Sequence, residues 1–172
     1  MNQVIIQGVG FVALLFVIVS FQKKERGSLL FTMLVGLVLF VVHYLLLNAW
    51  TGALLNLVEA GVVYVSYKKE STSWARQKFW LYIFVLLFVV SGLVVSRTLI
   101  DLLPVIAQII GVIGVWRNDP REIRFIMLVP RPLWFLYNLS IGSYAGMATE
   151  VFIFLSLVIG IFRFDIFGRS KK

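Results

Sequence analysis

The sequence predicts an all-α membrane protein with seven transmembrane helices. They form two parallel three-helix repeats joined by a linker helix (3+1+3), with the N-terminus outside and the C-terminus inside. Three observations predict this. Apolar residues gather in seven runs of roughly 17–20, close to the ~20 that carry a helix across a bilayer. Lysine and arginine crowd into every second connection, as they do in cytoplasmic loops. The chain also resembles itself when shifted by 94 residues.

Composition sets the frame. Of 172 residues, 60% are hydrophobic, and the mean hydropathy is +0.96; soluble domains are about half apolar. No cysteine is present, which excludes disulfides and thiolate metal sites. A single histidine, His43, builds neither a bis-histidine haem site nor a zinc site. No cofactor or metal is expected. The net charge of +8 would suit nucleic acid in a soluble protein. Here it reads as cytoplasmic loops against lipid headgroups, so the bilayer is the expected partner and nucleic acid is not.

The first run, 4–21, has no basic leader and no small-residue cleavage site, and its positive charges follow it. It reads as a retained span rather than a signal peptide. Runs 29–47 and 51–67 are joined by a tight uncharged turn, and 79–96 follows the basic stretch KKESTSWARQK. Run 99–116 opens on Thr98-x-x-Asp101, a capping-box pattern. Run 124–142 is preceded by Asp119-Pro120-Arg121-Glu122, which reads as N-cap, first position and first turn of a helix. Run 146–162 follows a second uncharged turn. The first, third and fifth connections and the C-terminal tail carry three, four, three and four basic residues, fourteen of the sixteen. Arg97 alone lies on the opposite side, and Arg131 lies within a run. The expected organisation is a first repeat 1–70, a linker with the fourth span 71–98, a second repeat 99–165 and a basic cytoplasmic tail 166–172.

The repeat rests on seven identities at the shift of 94 residues: Phe31/Phe125, Met33/Met127, Leu34/Leu128, Val35/Val129, Leu39/Leu133, Leu45/Leu139 and Gly52/Gly146. The same shift aligns Lys23 with Arg117, Glu25 with Asp119, and the two uncharged turns. Parallel repeats around an axis along the membrane normal are a transporter design, with the site between them. The 3+1+3 layout resembles the PQ-loop superfamily, which includes SWEET sugar facilitators and PnuC-type nicotinamide riboside transporters. The stretches SFQKKERGSLLF, HYLLLNAWTGALLN, WFLYNLSIGSYAGMATEVF and GIFRFD more closely resemble the YgjV-like family of bacterial inner-membrane proteins. That resemblance implies an inner-membrane, multi-pass location. A Pro-Gln pair is absent: Pro104 lies in the fifth span where the first has Gly10.

A charge at the centre of a membrane helix costs about 2.5–3.5 kcal/mol, so polar residues within the runs mark partners or cavities. They are His43, Asn56, Glu59, Gln108, Arg131, Asn138 and Glu150. The SWEET resemblance implies that Phe40/Trp134 and Asn56/Glu150 line a pocket, with His43 and Tyr137 one turn further on. Candidate substrate-binding residues are therefore His43, Asn56, Trp134, Tyr137, Asn138 and Glu150. Where one repeat has Asn56 the other has Glu150, so the expected ligand is a small polar or cationic solute. Arg131 stands between two prolines and, at ~1.5 Å rise per residue, near the depth of Glu59. The expectation is an intramembrane Glu59–Arg131 ion pair or gate. Gly8, Gly10, Gly111 and Gly114 are expected to let helices approach closely. The sequence favours a transporter over a membrane scaffold or partner-binding protein, and over an enzyme. It neither requires nor excludes an oligomer.

Overall fold

Apolar periodicity, proline positions and two left-handed turns set the helix boundaries in the structure, a computed structural model that describes residues 2–20, 23, 25–69, 71–117 and 119–166. The helices are α1 (Gln3–Ser20), α2 (Arg26–Leu46), α3 (Trp50–Lys68), α4 (Phe79–Val95), α5 (Leu102–Val115), α6 (Pro120–Leu128), α7 (Pro130–Ser140) and α8 (Tyr144–Gly160). A short 3-10 turn, Trp74–Arg76, precedes α4, and a π-helical stretch, Ile161–Ile166, extends α8. No strand occurs among the described residues. Beyond Ile166 the basic tail lies outside them.

Two turns close with the same chemistry. Asn48 (φ 56°) and Gly142 (φ 70°) hold the left-handed conformation. Ala49 N donates to Tyr44 O (2.9 Å) and Asn48 N to Leu45 O (3.0 Å), while Ser143 N donates to Asn138 O (2.9 Å) and Gly142 N to Leu139 O (3.3 Å). Both are Schellman closures, which need a residue able to take positive φ. At the start of α6 the expected cap is present: the Asp119 carboxylate accepts from Arg121 N, 2.9 Å away, with Pro120 in the first turn. Asp101 plays the reach-back half of a capping box, accepting from Thr98 N, Thr98 Oγ1 and Arg97 N at 2.9–3.0 Å. Burial works against its ionised form, but these bonds prevail and hold its carboxyl below the usual range.

The sixth apolar run is not one regular helix. Val129 keeps helical backbone angles (φ −66°, ψ −42°), but Pro130 and Pro132 lack the N–H groups that would tie α7 back to α6. The rod is therefore interrupted at Val129.

α2 packs between α1 and α3, α7 packs between α5 and α8, and α4 rests against α3 and α5. The group α1–α3 and the group α5–α8 meet along two seams, α1 with α8 and α3 with α5. The outer surface is apolar: Leu93 and Leu99 are 80% and 83% exposed. Such a surface suits lipid rather than water. Three helical stretches are long and apolar enough to cross a membrane, Gln3–Ser20, Gly27–Leu46 and Tyr144–Ile166, and two shorter ones are apolar, Phe79–Val95 and Leu102–Gly114. α3 is less apolar because it is the helix most enclosed by others, with ten buried residues that include Thr51, Asn56 and Ser66. Of the four glycines expected at close contacts, Gly10 and Gly114 meet neighbours tightly, whereas Gly8 and Gly111 have room around them.

Candidate functional site between the two helix groups

Residues three and four apart share a helix face, and four such faces enclose one cavity. α2 contributes Met33, Leu37, Phe40 and Tyr44; α3 contributes Asn56 and Glu59; α7 contributes Arg131 and Trp134; α8 contributes Gly146, Thr149, Glu150 and Ile153. Val17 and Gln108 complete the lining from α1 and α5. The cavity measures about 90 Å³, room for several waters at the ~10–15 Å³ each one needs.

The polar groups in its wall are unevenly satisfied. Gln108 Nε2 donates to the Glu59 carboxylate at 2.7 Å. Asn56 Nδ2 donates to Gly52 O, one turn back on its own helix, at 2.9 Å. Arg131 Nη1 lies 3.1 Å from Glu150 Oε2, yet that oxygen is not aligned for a hydrogen bond, and Arg131 Nε is buried with no hydrogen-bond partner among the described residues. The expected partner of Arg131 is thus corrected. The ion pair joins Arg131 to Glu150 on the adjacent helix, and Glu59 is bonded by Gln108 instead. Residue counting puts Glu59 near the depth of Arg131, but rotation about the helix axes, which only packing sets, selects the partner.

Trp134, Asn56 and Glu150 line the cavity as expected. His43, Tyr137 and Asn138 do not; they lie one turn further out, in a bonded layer that closes the cavity on the side of the two Schellman turns. His43 and Asn138 are 0% exposed and Tyr137 1%. Tyr137 Oη accepts from Gly52 N (2.8 Å), and Tyr44 Oη donates to Asn138 Oδ1 (2.8 Å). His43 Nδ1 donates to the Ile6 carbonyl (2.9 Å), and Nε2 meets Ser143 Oγ (2.8 Å), which also accepts from Gly146 N (3.1 Å). Tyr137 and His43 reach across the seam to the opposite group's helix start, and Asn138 meets Tyr44 there, which draws them away from the cavity. Small residues permit the approach. A Cβ on Gly10 would meet His43 and Ala145, one on Gly52 would meet Tyr44 and Tyr137, and one on Gly146 would meet Asn138 and Ser143.

Ser143 and His43 have the spacing of a nucleophile and its base. Both are fully buried, however, and Ser143 is the N-cap of α8, so the pair serves as a cap. Among the described residues no group of three or more His, Cys, Asp or Glu side chains is placed to hold a metal ion.

Sequence reading passed over Tyr44, Thr149 and Gly146. Tyr44 carried a signal: it aligns with Asn138 at the repeat shift, one residue beyond the His43/Tyr137 match, and the two bond each other.

A family model described as a bacterial inner membrane protein, Imp-YgjV, matches residues 4–166. The chain belongs to the Imp-YgjV family. The match spans all eight helices, so the cavity and the layer above it are both parts of an Imp-YgjV inner-membrane protein. No curated protein and no solved structure matches the chain.

Proposed function

We propose that the protein is a small-molecule transporter or facilitator of the inner membrane whose solute site is the cavity between the two helix groups. One observation carries this reading. Two carboxylates, one guanidinium and two amides (Glu59, Glu150, Arg131, Asn56 and Gln108) converge on a single space from four helices drawn from both groups. Helix packing alone does not gather such costly residues. Two acids against one base favour a cationic or polar solute. At about 90 Å³ the cavity is smaller than the ~300–1,000 Å³ of drug-sized pockets, as befits a small solute or an occluded state.

In this reading the chain crosses the membrane seven times, N-terminus outside, with α6 and α7 forming one crossing. Segments 1–70 and 99–165 are parallel repeats around the linker 71–98. Four features at the same separation support the repeat. The left-handed turn residues Asn48 and Gly142 correspond. Tyr44 and Asn138, 94 residues apart, touch each other, as equivalent residues do beside a two-fold axis. Tyr137 reaches Gly52 N, and its counterpart His43 reaches Gly146 N through Ser143. Gln7 bonds Gly142 O (2.8 Å), while its counterpart Asp101 accepts from Thr51 Oγ1 (3.4 Å).

A second reading, a membrane scaffold without transport, draws on the extensive bonding of the layer above the cavity. No enzymatic role is proposed. Uptake by reconstituted vesicles across a panel of small amines, amides and sugars separates the readings. The transporter reading expects protein-dependent flux of at least one polar solute, reduced by Glu150→Gln, and the absence of any flux overturns it. Topology has its own check. Trp50→Cys and Tyr144→Cys, exposed beside the two Schellman turns, should react with an impermeant thiol reagent added to intact cells, and Gln77→Cys should not. Labelling at Gln77 overturns the orientation.

A further inference from the structure

We infer that the cavity takes an organic ammonium compound with an apolar body, and that this compound reaches Glu150 sideways from the bilayer, between α7 and α8. The inference rests on the solute-site reading above and adds a substrate class and a route.

Arg131 and Glu150 line two spaces at once. On one side they face the central cavity. On the other they form the floor of a membrane-facing groove of about 290 Å³, whose remaining walls are Pro132, Phe135, Val151, Phe154 and Leu155. The ion pair is therefore the partition between the bilayer and the cavity. Apart from that pair, the groove offers no polar side chain. A hydrophilic solute gains nothing by entering it, since it would shed water without replacement bonds. A molecule with an apolar body gains burial there, and its charged end arrives at Glu150.

The sign of that charge follows from the wall. A cation in the cavity favours the ionised form of both acids, and with Glu59, Glu150 and Arg131 then charged, the wall's one excess negative charge balances a monovalent cation. The existing pair is weakly made, since its close oxygen lacks hydrogen-bond alignment and Arg131 Nε has no hydrogen-bond partner among the described residues. An ammonium group that bonds Glu150 better displaces Arg131. Glu59, which lines the same cavity, then receives the guanidinium. Phe40, Tyr44 and Trp134 line the cavity beside the acids, and aromatic faces attract quaternary ammonium groups. The interruption at Val129, with Pro130 and Pro132 beyond it, gives α7 its hinge at the level of the partition.

The test uses the full chain in phosphatidylglycerol vesicles, whose lipid carries no ammonium group, with protein-free vesicles as the blank, and three probes. Benzyltrimethylammonium carries charge and an apolar group, tetramethylammonium carries charge alone, and benzyl alcohol carries no charge. Benzyltrimethylammonium should bind at least about tenfold more tightly than tetramethylammonium, benzyl alcohol should not bind, and Glu150→Gln should weaken both cations. Val151→Trp fills the groove from the lipid side and should slow association several-fold and weaken benzyltrimethylammonium binding. Leu57→Trp, on a membrane face that lines neither space, should change neither. Equal association rates for the parent and Val151→Trp overturn the lateral route. Equal, Glu150-dependent binding of both cations overturns the apolar body while leaving the solute site standing. If benzyltrimethylammonium does not bind, the substrate class is overturned, and the uptake panel then judges the site separately. If Glu150→Gln does not fold, the probe ranking and the Val151→Trp rate decide.

Discussion

The cavity and the layer that closes it lie one helical turn apart on the same helices, yet they treat polar groups in opposite ways. In the layer, both nitrogens of His43, the hydroxyls of Tyr44 and Tyr137, and the hydroxyl of Ser143 all have partners at 2.8–2.9 Å. Asn138 Nδ2 is its one side-chain atom without a partner among the described residues. In the cavity, the guanidinium and a carboxylate meet at 3.1 Å without a well-formed bond. A buried polar group without partners costs roughly 1–3 kcal/mol. The layer avoids that cost and fixes the two helix groups together. The cavity retains it, which leaves its groups free to exchange partners. Neutral groups make the layer, charged groups make the cavity, and only the charged ones respond to an ion.

That contrast is broken most severely at Arg131. Arg131→Leu leaves Glu150 buried without its cation and should cost about 3–5 kcal/mol, read as loss of thermal stability in detergent. Adding Glu150→Leu should recover much of that loss, whereas adding Glu59→Leu should recover little. Stronger coupling of Arg131 to Glu59 than to Glu150 would assign the ion pair the other way.

A smaller effect is expected in the layer. Tyr137→Phe leaves Gly52 N without its acceptor, and Tyr44→Phe leaves Asn138 Oδ1 without its donor; each should cost about 1–2 kcal/mol. Because Tyr137 belongs to the layer and does not line the cavity, Tyr137→Phe should bind the parent's ligand with little change per folded molecule. A tenfold loss of affinity in that variant would make the layer part of the site.

The smallest effect lies outside the helices, at Asp101. Its carboxyl is held below the ordinary carboxylate range in the folded chain. The associated stability is therefore fully present above the unfolded value of ~3.9 and is lost as pH falls through the folded one. Melting temperature should fall on acidification below about pH 4, and Asp101→Asn should flatten part of that fall. An unchanged pH profile in the variant would remove Asp101 from the account. The carboxyl is largely exposed, so screening keeps the contribution small.

The apolar runs, the two tight uncharged turns, the Asp119 cap and the inner-membrane family were legible in the sequence; the left-handed Schellman closure of those turns was not read from it. Each legible feature depends on local information: apolar run length, a short connection without charge, an acid before a proline, or a contiguous motif. The cavity was legible in part. Asn56 and Glu150 stood out because a polar residue in an apolar run is costly wherever it points, and Trp134 was named through the resemblance to SWEET facilitators. Which groups pair was not legible. Depth follows from counting residues, but a rotation of one helix about its axis separates Glu59 from Glu150 as the partner of Arg131, and neighbouring helices set that rotation. For the same reason His43, Tyr137 and Asn138 were assigned to the cavity, whereas packing turns them into the layer above it. Nor does sequence alone place the groove between α7 and α8 against the back of the Arg131–Glu150 pair, because its wall is built from two helices whose contact exists only once the chain has folded.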